Sequence, residues 1–95
     1  MSLKLKIKET IKEIKHASDS DDVPGIIRRL MDELIDADIM GLELRLFLQY
    51  LYIDLSSERL QVNDVIEMNN LKCAIDMTER FGKILGMKVY LYELN

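Results

Sequence analysis

One cysteine, one histidine, one proline and no tryptophan occur in this sequence. Each shortage closes off a class of function. Cys73 has no partner within the chain, so an internal disulfide framework is excluded and a reducing compartment is expected. His16 stands alone. It forms a Glu-x-x-His spacing with Glu13, but a di-iron bundle needs two such motifs and two further glutamates. The same shortage leaves Cys73 without an imidazole base; among apolar neighbours in mid-helix it reads as a small hydrophobe and not a nucleophile. The four glycines are scattered, which excludes a phosphate-cradling loop. The acidic trio Asp19, Asp21 and Asp22 lacks the glycine and distal glutamate of a calcium loop. No catalytic group, metal or cofactor is expected, and the chain does not read as an enzyme.

Long hydrophobic runs are missing as well. The central stretch free of charge, Leu46 to Ile53, is far short of the roughly 20 residues a membrane span requires. The N-terminus is basic but has no continuous apolar segment behind it, so it does not read as a signal peptide. The expected setting is the cytoplasm of a cell or of a virus-infected cell.

What is present is the composition of a folded protein: 48% apolar and 32% charged over 95 residues. That length suits a single domain spanning residues 1–95. A domain this short buries only about 60–65% of its unfolded surface, and oligomerisation is a common remedy. Charge is unevenly placed. Residues 1–16 carry five lysines against two glutamates, a balance of +3, which leaves −7 for the remainder of a chain whose net charge is −4.

Periodicity predicts about four helices. In the first, Leu3, Ile7, Thr10, Ile11 and Ile14 share a face, beside a stripe of Lys4, Lys8, Lys12 and Lys15. Residues 3–7 also alternate as a strand would, and Leu5 is the misfit of the helical reading. "SDSDDVPG" is the clearest break, with Ser20, Asp21 or Asp22 available to cap a helix and Pro24 suited to its first turn. That second helix is predicted to bury Val23, Ile26, Ile27, Leu30, Met31, Leu34 and Ile35. Residues 42–55 are ambiguous: leucines at 42, 44, 46 and 48 alternate, yet strong helix formers dominate and β-branched residues are scarce. The helical reading places Leu44, Phe47, Leu48, Leu51 and Leu55 on one face, leaves Arg45, Gln49, Tyr52 and Ser56 as the polar strip, and uses Asp38 as N-cap. "SSERLQVN" reads as a connector. Asp64 and Glu67 then form a capping-box pair for a last helix ending near Leu85 and Gly86. In it, Met68, Leu71, Ala74, Ile75, Thr78, Phe81 and Leu85 form one apolar face. Ile66, Cys73, Met77 and Ile84 form a second, and mid-helix Asn69 and Asn70 suggest specific polar contacts.

The fold expected is therefore mainly α, a compact bundle of about four helices, with a short β-strand at Lys88–Leu94. Val89, Tyr90, Leu91 and Tyr92 are too apolar and too β-prone for a disordered tail, and a strand needs a neighbour. Three partners are conceivable: "LKLKI" at the N-terminus, "RLQVN" before the last helix, or the same strand of a second copy, by β-addition or as a two-stranded ribbon packed on the helices.

The third and fourth helices carry apolar faces nearly twice as wide as a bundle helix needs. Either one helix is central and wrapped by the others, or the surplus is an interface. Covering 500 Å² of such surface contributes on the order of 10 kcal/mol before entropic costs. The interface reading nominates Leu44, Phe47, Leu51, Ile66, Cys73, Met77, Ile84, Val89, Tyr90, Leu91 and Tyr92. Met68 and Met77 would suit an adaptable binding surface. It makes the chain a small protein–protein interaction module, homodimeric, in the manner of regulators, adaptors or inhibitors, including those encoded by phages and mobile elements. The alternative is a nucleic-acid-associated regulator that lays the Lys4–Lys15 stripe on phosphates, with steeply salt-dependent binding. The acidic body argues against a general nucleic-acid face. Mimicry of nucleic acid by that body is interrupted by Arg28, Arg29, Arg45, Arg59 and Arg80, and the short apolar face of residues 3–14 argues against stable membrane attachment.

Overall fold

Ser2 starts the first helix. Extended and just outside it, Ser2 accepts a hydrogen bond from the Leu5 N–H through its hydroxyl, at 3.2 Å, satisfying one of the orphan donors of a helix start. The computed structural model describes residues 2–84 of the chain. Helix α1, Leu3–Lys15, buries Ile7, Thr10, Ile11 and Ile14 and leaves Leu5 in solvent. The helical reading of residues 3–7 prevails because the three- and four-residue spacing continues to Ile14, whereas the alternation stops at Ile7.

The break at residues 19–24 holds two devices in series. The Asp19 carboxylate accepts from the Asp21 N–H at 2.8 Å and caps a 3-10 turn, Ser20–Asp22. That turn runs directly into α2, Val23–Asp36, with Pro24 in its first turn and no side-chain cap from Asp22. The cap thus falls one residue earlier than the nearest candidate read from sequence. Val23, Ile27, Leu30, Met31 and Leu34 are buried, but Ile35 is turned to solvent. The 27/30/31/34 stripe already fills the inward arc, and Ile35 lies about 100° beyond Leu34.

Asp38 does not cap the third helix. It ends the second. The Asp38 N–H donates to the Ile35 carbonyl at 3.0 Å and the Ile39 N–H to the Leu34 carbonyl at 2.9 Å. This is a Schellman closure, completed by buried Ile39 near buried Leu34. It forces Asp38 to a φ of 58°, a left-handed conformation that costs an ordinary residue about 1–2 kcal/mol and glycine almost nothing. Asp38→Gly is expected to raise stability by about 1 kcal/mol, read as a higher urea midpoint at unchanged slope. A lower midpoint would show that the Asp38 side chain contributes more than its backbone costs.

Helix α3, Leu42–Gln61, starts at Gly41, whose φ is also positive at 61°. It takes in Ser56–Gln61, which the sequence suggested would connect. Two anchors hold those turns in register. Lys15 bonds Glu58 at 2.7 Å, and Val62, just past the helix, packs against the core. The polar strip also shifts, since Tyr52 is buried. After residues 62–64 comes α4, Val65–Ile84, capped by the Asp64 carboxylate, which accepts the Glu67 N–H at 2.8 Å.

Cross-helix contacts fix the directions. Lys6 pairs with Glu33 and Glu13 with Arg29, so α1 and α2 run antiparallel. Leu3 and Ile7 lie beside Leu46, Phe47 and Tyr50, while Lys15 meets Glu58, so α1 and α3 run in the same sense. Asn70 reaches the end of α1, and α4 returns antiparallel to α3. The architecture is a mainly helical, compact bundle of four helices. Helix α4 packs on all three others, as the central-helix reading required. Among the described residues no strand occurs; the strand expected at Lys88–Leu94 lies outside them.

Candidate functional site

Helix α4 must serve three neighbours, and it does so with Asn70, Leu71, Ala74, Ile75, Thr78 and Gly82. One step round the helix lies the stripe Ile66, Cys73, Met77 and Ile84. Its members differ in placement. Cys73 and Met77 are half-buried at the edge of the core, whereas Ile66 and Ile84 are 51% and 78% exposed. Cys73, Met77 and Ile84 meet Pro24, Phe81 and Arg80 around a mostly apolar cleft of about 370 Å³, where α4 passes the start of α2. Ile66 sits two turns from Cys73 and outside that cleft.

The Cys73 thiol faces the Ser20 carbonyl at 3.7 Å. Burial pushes its pKa up, the carboxylates of Asp76 and Asp21 add to this, and Arg80 opposes them. A nucleophilic cysteine needs the reverse, a setting that favours the thiolate. Alkylation of native protein by iodoacetamide is therefore expected to be several-fold slower at pH 8 than that of free cysteine, with its pH–rate midpoint displaced upward. The sign follows from the raised pKa: the thiol stays protonated until the pH passes the midpoint of an unperturbed cysteine. Reaction faster than free cysteine at pH 7 would show an activated thiol.

The structure corrects the α3 half of the expected interface. Leu44, Phe47 and Leu51 are buried in the core together with Leu48 and Leu55. They are three- and four-residue neighbours on the arc that faces the other helices. The exposed apolar face is instead Leu42, Leu46 and Tyr50, at four-residue intervals and 68%, 41% and 57% exposed. Leu46 and Tyr50 form one wall of a groove of about 490 Å³ whose other wall is Leu3 and Ile7 of α1 and whose floor includes Phe47. Val89, Tyr90, Leu91 and Tyr92 lie outside the described residues.

Two polar residues carry more than the sequence disclosed. Asn70 is fully buried, and its amide nitrogen donates to the carbonyls of Ile14, at 3.1 Å, and Ala17, at 3.0 Å. It closes the C-terminus of α1 from a distant helix. Tyr52 is buried with its hydroxyl donating to Glu79 at 2.9 Å, tying α3 to α4. The signal for Asn70 was its position in mid-helix; for Tyr52 there was none beyond the amphipathic nature of tyrosine.

The lysine stripe is partly engaged. Lys15 bonds Glu58, which raises the lysine pKa, and Lys8, Lys12 and Lys15 share a cleft with Asp54 and Glu58. Lys4, Lys8 and Lys12 are exposed. Among the described residues no group of three His, Cys, Asp or Glu side chains stands together as a metal site would require. Among them, too, no helix is long and apolar enough to cross a membrane. No protein-family model, curated protein or solved structure matches the chain.

Proposed function

We propose that this protein acts by binding protein, without chemistry of its own, and that its first partner is a second copy of itself. The observation that carries the reading is the outer stripe of α4. Helix α4 already packs on three helices, yet it still presents Ile66 and Ile84 to solvent and frames an apolar cleft with Cys73, Met77 and Phe81. Surplus apolar surface on a helix already satisfied by its own bundle is the usual mark of an interface. Met77 at its centre suits an adaptable contact.

The segment Lys88–Leu94 belongs to the same reading. Of its three conceivable partners, Leu3–Ile7 lies within α1, and of "RLQVN" Arg59, Leu60 and Gln61 lie within α3, which leaves Val62 and Asn63 alone outside a helix, too few to pair along a strand. Helical backbone cannot accept a strand. That favours the same segment of a second copy, two strands related by a two-fold axis. Regulation, adaptation or inhibition of another protein is the role that such a module would serve.

Sedimentation at micromolar concentration tests the dimer. The wild type is expected to run at twice the 11.1 kDa of the chain. Ile66→Asp with Ile84→Asp is expected to shift it to the monomer, at unchanged helical circular dichroism because both positions are exposed. A wild type that stays monomeric throughout the micromolar range overturns self-association.

A further inference from the structure

The groove between α1 and α3 has no role in the α4 interface, and its walls describe what would fill it. We propose that it takes one amphipathic helix of a partner protein, apolar over its middle turns and bracketed by basic residues about three turns apart. This names the site and the class of target for the binding reading above. It rests on that reading only in treating the protein as a binder, and it needs no dimer.

Shape comes first. Leu3 and Ile7 on one side and Leu46 and Tyr50 on the other form the walls, with Phe47 in the floor. Both walls are helices, so no strand edge is at hand to pair an extended peptide. Such a peptide would press unpaired N–H and C=O groups onto an apolar floor. A helix brings its backbone hydrogen bonds with it and lays side chains at three- and four-residue spacing into a groove of this kind. Along α3, the lining residues Glu43, Leu46, Tyr50 and Asp54 fall on one stripe. It is about 16 Å from first to last, which matches about three turns of a docked helix.

Charge specifies the occupant. Glu43 and Asp54 are exposed and close the two ends of the apolar stretch, and exposed Lys4 stands on the opposite wall. Lys15 meets Glu58, so Lys4, eleven residues earlier on a helix of the same sense, stands level with Phe47, between the two carboxylates. Elsewhere on α1, charges are satisfied within the chain: Lys6 pairs with Glu33, Glu13 with Arg29 and Lys15 with Glu58. Among the described residues, the side chains of Lys4, Glu43 and Asp54 enter no ion pair. Their complement is a helix with basic residues eleven positions apart along the edge facing α3, and an acidic residue between them on the edge facing α1. Lys8 and Lys12 line the cleft beyond Asp54 and add to the pull on that acidic edge. The net charge of −4 on the chain favours the approach of a basic segment. The outer face of α4 in a second copy does not supply the pattern. Lys72 and Lys83 have the spacing, but the exposed positions between them on that arc are Asp76 and Arg80.

Fluorescence anisotropy of a labelled peptide tests this on the full-length chain. The probe is an alanine-based helix with leucines on one face, arginines eleven positions apart on one edge and a glutamate midway on the other. The control peptide exchanges the two charge signs. The probe is expected to bind wild type at micromolar concentration, and the control about tenfold more weakly. Tyr50→Asp should weaken the probe by about tenfold at unchanged helical circular dichroism, because Tyr50 is exposed. Lys4→Glu combined with Glu43→Lys and Asp54→Lys, all at exposed positions, should invert the preference in favour of the control. No saturation below about 1 mM probe, equal affinity for the two peptides, indifference to Tyr50→Asp, or a preference that the triple variant leaves unchanged overturns the proposal. Dissociation of a wild-type dimer by the probe overturns it too, since the groove would then belong to a second copy. Failure of the dimer would appear separately, as a wild type that sediments as a monomer and still binds the probe.

Discussion

Asn70→Asp is expected to destabilise the protein severely at neutral pH and much less in acid. In the wild type the Asn70 amide donates to two carbonyls, those of Ile14 and Ala17, inside a fully buried site. Its own amide oxygen is buried without a partner, so the site already carries one uncompensated polar group and cannot absorb another. A carboxylate there removes both donors and sets a buried charge against two carbonyl oxygens. Loss of about 3–5 kcal/mol follows, which for a domain of this size lowers the melting temperature by roughly 15–30 °C. The pH dependence has a definite sign. Desolvation and the facing carbonyls raise the folded-state pKa of the new carboxyl above its unfolded value. The protonated form can donate one hydrogen bond, so stability is retained below the unfolded pKa and lost as pH rises through the folded one. Asn70→Ala, which loses the donors without adding charge, should cost about 2–3 kcal/mol with no such pH dependence. Thermal melts at pH 4 and pH 7.5 check both, and equal losses for the two variants at each pH would exclude the charge argument.

Why the sequence disclosed so much of the fold and so little of the site follows from what periodicity measures. An amphipathic repeat reports which residues share a face, and the inward stripes of α1 and, Ile35 excepted, of α2 were legible for that reason, down to Leu5 as the exposed misfit. It does not report which of two adjacent apolar faces is turned inward. On α3, nearly every arc carries leucine, so the choice between the Leu44–Phe47–Leu51 face and the Leu42–Leu46–Tyr50 face depended on neighbours that no local pattern names. Boundaries failed where distant contacts decide them. The turns at Ser56–Gln61 are held by Lys15 from α1, and Asp38 ends one helix instead of starting the next because Ile39 reaches back to Leu34. Asn70 was visible as an oddity. Its role needed the end of α1, 53 to 56 residues away in sequence.

Phe47→Ala is the substitution that separates core from interface most sharply on α3. Phe47 is among the largest fully buried side chains, packed with Leu48, Leu51 and Leu55. Truncating a buried phenylalanine costs about 3–5 kcal/mol in lost transfer energy and residual cavity. Total stability for a chain of this length is about 5–14 kcal/mol, so the variant is expected to lose a large share of it, with a urea midpoint well below wild type at unchanged slope. Leu42→Ser, on the exposed arc of the same helix, should move that midpoint by no more than about 0.5 kcal/mol equivalent. An interface anchor would behave in the opposite way. If Phe47 served chiefly to hold a second copy, its loss would shift the monomer–dimer equilibrium and leave the urea midpoint of dilute, monomeric protein where it was. Measuring both variants at a concentration below the dimer transition distinguishes the two, because only a residue buried within one chain can destabilise that chain alone.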